Sequence, residues 1–200
     1  MKKSTLTMAS FLVLAGFTAC NNTETTTTTT TTDSNKIATD QTVTDNTTNV
    51  PVAKTPFTGE DSIFVWNAAL GGMMEVEAGN LAQQNATSDR VKAFATMMVN
   101  DHSKANAELM SMASARGMTL PTALPADMQT HMEAMKKMTG KAFDKHYMDM
   151  MTGDHKKAIA DFEKQSSSGA DAELKAWATK TLPALQMHRD SAEAISKAKM

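Results

Sequence analysis

Met97-Met98-Val99-Asn100-Asp101-His102-Ser103-Lys104-Ala105-Asn106-Ala107-Glu108-Leu109 is the stretch on which the reading of this chain turns. The same order returns 53 residues on, as Met150-Met151-Thr152-Gly153-Asp154-His155-Lys156-Lys157-Ala158-Ile159-Ala160-Asp161-Phe162. The shared pattern is MMxxDHxKAxA, closed by an acidic and then an apolar residue. In both copies apolar residues recur every three or four positions, the period of a helix with one buried stripe. His102 is four after Met98 and three before Ala105; His155 is four after Met151 and three before Ala158. Both imidazoles are therefore predicted on apolar helix faces.

The period extends outward from these two segments. The first copy belongs to a helix entered at Ser88, a natural N-cap, with Asp89 in its first turn and Gly117 as a stop. Before it, Ile63, Trp66, Leu70, Met74, Ala78 and Leu81 predict a helix from about Glu60 to Ala86. After Pro121 and Pro125 comes a short helix carrying Met128, Met132, Met135 and Met138. The second copy lies on a helix with Phe143, Tyr147, Met151, Ile159 and Phe162, which dissolves at Ser166-Ser167-Ser168-Gly169. From about Asp171, Leu174, Ala178, Thr181, Leu185, Ala192 and Ile195 mark a last helix, which Pro183 interrupts and kinks. No segment alternates with period two. The prediction is an all-α four-helix bundle over residues 58–200, with one short extra helix between helices 2 and 3.

Composition agrees. Aromatic residues are 5% of the chain, against 18 methionines, which suits closely packed helices better than a β-sandwich. A net charge of −2 gives no basic face for nucleic acid. Residues 20–57 cannot pack: Thr25 to Thr32 are all threonine, and so polar a segment buries too little apolar surface to offset its chain entropy. Before it stand Lys2 and Lys3, the apolar run Leu6 to Phe17, then Thr18, Ala19 and the only cysteine, Cys20. That layout is a secretory signal, too short to span a bilayer as a stable helix. Phe17-Thr18-Ala19-Cys20 resembles the bacterial lipoprotein signal, which implies cleavage after residue 19, lipidation of Cys20 and anchoring to a membrane. Asn21 is no inner-membrane retention signal of the aspartate type, so the expected address is the outer membrane, facing the periplasm. A lone cysteine that serves as the anchor leaves no disulfide and no Cys-based zinc site.

On the last helix His188 continues the stripe from Leu185 to Ala192, and on the first Glu77 falls between Met74 and Leu81 while Glu75 is predicted to point away. At 1.5 Å rise per residue, Glu77, His102, His155 and His188 fall within roughly 10 Å of one level. Four inward polar groups at one layer are how bundles build metal sites. The segments Glu75 to Ala82, Asp101-His102, Asp154-His155, Phe143-Asp144 before Tyr147, and Leu182-Pro183 before His188 resemble the bacterial domain-of-unknown-function 4142 family. The resemblance covers about Thr58 to Ala194. It implies a ferritin-like bundle and an exported protein, and it brings no activity with it.

The residues leave several uses of the layer open. Glu77, His102, His155 and His188 suit one zinc, iron or copper ion. A softer version is copper held by the pairs Met98/His102 and Met151/His155, since thioether sulfur favours Cu(I). A di-iron oxidase is disfavoured, because Val99, Thr152 and Leu185 stand where Glu-x-x-His would need glutamate. Asp101 and Asp154 are about 100° round the helix from their histidines and are not expected to share one centre with them. Metal-free, the layer would be neutral imidazoles bonded to Glu77 or Tyr147, fixing the register of the bundle. His131 and His146, outside the layer, are expected at the surface. There is no G-x-S-x-G and no Gly-rich phosphate loop, so the default is a non-enzymatic protein. The rivals are a metal-detoxifying or redox enzyme using the same layer, and a structural or partner-binding envelope stress protein.

Overall fold

The computed structural model describes residues 54–198, an all-α arrangement with no strand among the described residues. Its helices are α1 (Gly59–Asn85), α2 (Asp89–Ser114), α3 (Ala126–Lys136), α4 (Gly140–Ser168) and α5 (Ala172–Lys197). The expected lipoprotein signal with Cys20 and nearly all of the expected Thr-rich tether lie outside the described residues. No helix among the described residues is long and apolar enough to cross a membrane.

The four long helices pack around a common interior as a helical bundle. α1 lies against α2 and α4, α5 lies against α4 and α2, and α3 rests on α1. Gly79 allows the α1–α2 approach: a Cβ there would stand 2.7 Å from Val99 Cγ2. The helix boundaries fall close to the sequence reading, with two instructive differences. α4 runs through the three serines, because Ser166, Ser167 and Ser168 turn their hydroxyls back onto the carbonyls of Glu163 and Lys164. α5 continues through Pro183, which removes one backbone donor without ending the helix.

On α1 the buried face matches the predicted one only in part: Leu70, Ala78 and Leu81 are buried as expected. Ile63 and Trp66 are 55% and 43% exposed, whereas Asp61, Phe64, Val65, Ala69, Gly72, Glu75, Ala78, Gly79 and Ala82 face inward. Apolar residues occur on every side of α1, so its large side chains do not mark a single stripe. The spacing that does hold is the run of small and medium residues from Asp61 to Ala82.

The interior has two apolar clusters. One, next to α3, holds Phe94, Met98, Phe143, Tyr147 and Met151; the other holds Phe64, Leu109, Ile159, Phe162, Trp177 and Leu185. His102, His155 and His188 lie between them in sequence on three helices, so a polar layer divides the core.

The helical pairs α1–α2 and α4–α5 hold each other by their bends. Asp144, at the start of α4, accepts hydrogen bonds from Thr87 N and Ser88 N, both at 3.0 Å. Ser88 itself makes no side-chain cap, contrary to its predicted role. Asp61, at the start of α1, accepts from Ala170 N at 3.2 Å, Asp171 N at 2.7 Å and Gln165 Nε2 at 2.7 Å. Both carboxylates are buried. Asp144→Ala would strand two amide donors, and a loss of about 2–4 kcal/mol is expected in urea denaturation.

Phe57, placed in the linker by the sequence, is buried under the Arg116 guanidinium, whose carbon lies 4.4 Å above the ring. Arg116 also bonds Asp171 and Glu173, tying the end of α2 to the start of α5.

Candidate metal centre

α2, α4 and α5 each bring one buried histidine to the layer. The ring centroids of His102, His155 and His188 form a nearly equilateral triangle with sides of 5.5, 5.3 and 5.3 Å. One ring nitrogen from each lies within 4.8 Å of the others. α1 contributes Glu75, not Glu77.

The outer ring nitrogens are tied. His102 Nδ1 is 3.0 Å from Glu75 Oε2. His155 Nδ1 is 2.9 Å from the Met151 carbonyl and 3.4 Å from Glu75 Oε1. His188 Nε2 is 2.8 Å from Asp101 Oδ2. Each of these partners is an acceptor, so each outer nitrogen carries the proton and donates. Where a ring is neutral, its inner nitrogen is then left as a lone pair. His102 Nε2 is buried without a partner, and His155 Nε2 faces His188 Nδ1 at 3.3 Å. Two imidazole lone pairs pointed at each other repel, unless a cation or a proton lies between them.

Charge follows from burial. Burial pushes the Glu75 pKa up, but the neighbouring His102, His155 and His188 outweigh it and hold the carboxyl below its usual range. For His102, burial pulls the pKa down while the Glu75 charge and hydrogen bond raise it further, so the net direction is upward. Burial dominates at His155, pushed down to about 4, and at His188, also lowered. Glu75 and His102 thus form the ion pair of the layer, and the other two imidazoles stay neutral. Tyr147, whose buried Oη has no partner, is kept protonated by burial and by the Glu75 charge.

The sequence reading is corrected at several residues. Glu77 is about half exposed and faces Lys136 at 3.8 Å, because two residues along a helix is 200° of rotation from Glu75. Met98 and Met151, the alternative soft ligands, are wholly buried in the apolar cluster with Tyr147, and Met151 meets His155 through its carbonyl rather than its sulfur. Asp101 lies off the face of His102, as expected, but reaches His188 on α5. His131 and His146 are half-buried against each other rather than free at the surface.

Three ring nitrogens around one point, each backed by a hydrogen-bond acceptor, fit a metal ion. At metal–nitrogen distances of about 2.0–2.1 Å, tetrahedral ligands stand roughly 3.3 Å apart, the separation between His155 and His188. The backing acceptors are the outer partners that metal-ligating histidines need. A cavity of about 470 Å³ also reaches the layer, its lining including Phe64, Leu70, Phe162, Trp177 and Leu185 together with Glu75, His102 and His188.

Solved structures of similar fold come from another family. A DUF305 fragment from Deinococcus radiodurans superposes with a TM-score of 0.62 at 11% identity, covering 70% of this chain and 97% of its own. A DUF305 protein from Streptomyces coelicolor, provisionally described as secreted, gives 0.59 at 11% identity, covering 68% and 91%. At that identity the likeness concerns the fold alone. Among curated proteins none matches this chain. The family is another matter: its model matches residues 46–195, three quarters of the sequence, and the chain belongs to the family described as Domain of unknown function (DUF4142).

Proposed function

We propose that this is an exported envelope protein whose ferritin-like bundle binds one transition-metal ion through His102, His155 and His188. Glu75 and Asp101 act as outer partners. The observation that carries this reading is the 3.3 Å approach of two ring nitrogens whose opposite sides are already tied to acceptors. The ligand set is neutral and all-nitrogen, which suits zinc, copper or iron of the divalent class. Export is supported by the N-terminal signal and by the secreted description of the Streptomyces coelicolor neighbour. Cys20 is the lipid anchor in this reading, and the outer membrane its address.

The experiment is metal analysis of the full-length chain after supplementation with zinc, copper and iron. One equivalent per chain, lost in the His102→Ala/His155→Ala double variant, supports the reading. No metal above background in the wild type removes it and leaves a structural polar layer. Catalysis at the bound ion is favoured by one feature, the cavity whose lining includes His102 and His188. Turnover of peroxide or of a reduced metal by the loaded protein would identify that use.

Acidity should weaken the binding. The ion needs neutral imidazoles, and His102 has its pKa raised, so it is the first of the three to hold a competing proton. Affinity is therefore greatest at pH values above the His102 pKa. It falls as pH drops through it, by about tenfold per unit for one displaced proton. A zinc titration from pH 8 to 5 checks the slope.

A further inference from the structure

α3 and α4 meet at a second group of soft ligands, apart from the histidine layer. His131 on α3 and His146 on α4 face each other with ring centroids 5.4 Å apart and planes tilted by 37°. Met150, one turn beyond His146 on α4, places its sulfur 3.2 Å from His131 Nε2. All three side chains are half-buried, so the group is shaped by packing yet open to solvent. One further turn along α4 stands Asp154, whose Oδ2 is buried without a partner.

We propose that His131, His146 and Met150 form a second metal site, selective for a soft monovalent cation of the copper(I) or silver(I) class. The choice of ion follows from the ligands. Two imidazoles and a thioether carry no charge, and a thioether is a poor ligand for the harder divalent ions but a good one for copper(I) and silver(I). The His131–Met150 pair needs little change. Ligand distances of about 2.0 Å to nitrogen and about 2.3 Å to sulfur put the two ligand atoms about 3.5–3.7 Å apart. The 3.2 Å contact between His131 and Met150 must open by about 0.3–0.5 Å. A flexible, unbranched methionine accommodates that. The site does not depend on the histidine layer, since it shares no ligand with it.

The test uses silver nitrate in chloride-free buffer, with the full-length chain carrying ¹³C-methyl methionine. The Met150 methyl signal, assigned by its loss in Met150→Leu, is expected to shift and saturate with one equivalent of silver. It should do so equally in the His102→Ala/His155→Ala variant, whose layer is disabled. Met150→Leu and His131→Ala should each weaken silver binding at least tenfold, while zinc binding at the layer stays unchanged in Met150→Leu. A Met150 signal that does not move, or shifts that spread without saturation over the exposed Met110 and Met187, would overturn the proposal. An unmoved signal would leave the 3.2 Å contact as a plain N–H···S hydrogen bond.

Discussion

His102→Leu is expected to destabilise the metal-free domain by about 3–5 kcal/mol, although leucine is the more apolar residue and the site is buried. The reason is the residue left behind. Glu75 is buried against His102 and held ionised by it, with only the longer contact to His155 otherwise. Removing one member of a buried pair leaves an uncompensated charge, and that desolvation cost exceeds what the added apolar contact returns. Removing both is a different matter. Glu75→Leu/His102→Leu should restore the loss and reach or exceed wild-type stability, because two packed leucines replace two desolvated groups. Urea denaturation of the four proteins in a double-mutant cycle measures this directly. A single variant as stable as wild type would mean that no ion pair exists there. A double variant more stable than wild type would show that the layer is kept at a cost in stability, as a binding site would be.

Metal affinity should rank the residues by their distance from the inner nitrogens. His155→Ala removes a ligand outright and should lower zinc affinity by more than the 10–100-fold, roughly, that loss of an outer partner costs. Asp101→Leu leaves the imidazole of His188 in place but unties its far side, so a fall within that range is expected. Glu77→Ala should change nothing, since its carboxylate lies outside, near Lys136. Competition titration against a chromophoric chelator resolves all three. If Glu77→Ala weakened binding as much as Asp101→Leu, the assignment of the inner carboxylate to Glu75 would fail.

The histidines were legible because α2, α4 and α5 each carry one consistent stripe, on which an imidazole between two apolar residues can only face inward. Glu75 was not. α1 presents Ile63 and Trp66 to solvent and buries Gly72 and Gly79, so side-chain size misleads about which way the helix faces. A phase error of two residues was enough to exchange one glutamate for the other. The contact of Asp101 with His188 was not legible for a related reason: adjacency on one helix gives no measure of reach to the next. The His131–His146–Met150 group depends on where α3 docks, which no local period specifies. The cavity depends on small residues of several helices coinciding in space, and a single-helix pattern cannot register that. Helix existence and boundaries, by contrast, follow from local chemistry and were legible almost throughout.

The reciprocal grip of Asp61 and Asp144 has a consequence for how the domain comes apart. Each carboxylate neutralises the exposed amides of a bend that belongs to the opposite half of the chain, so neither half is complete alone. A polypeptide severed between Pro121 and Pro125 would yield two pieces, each with its bend unsecured and its two helices free to fray. Only on reassociation would either become ordered, and melting of the intact domain should accordingly proceed as one event, with no stable half remaining.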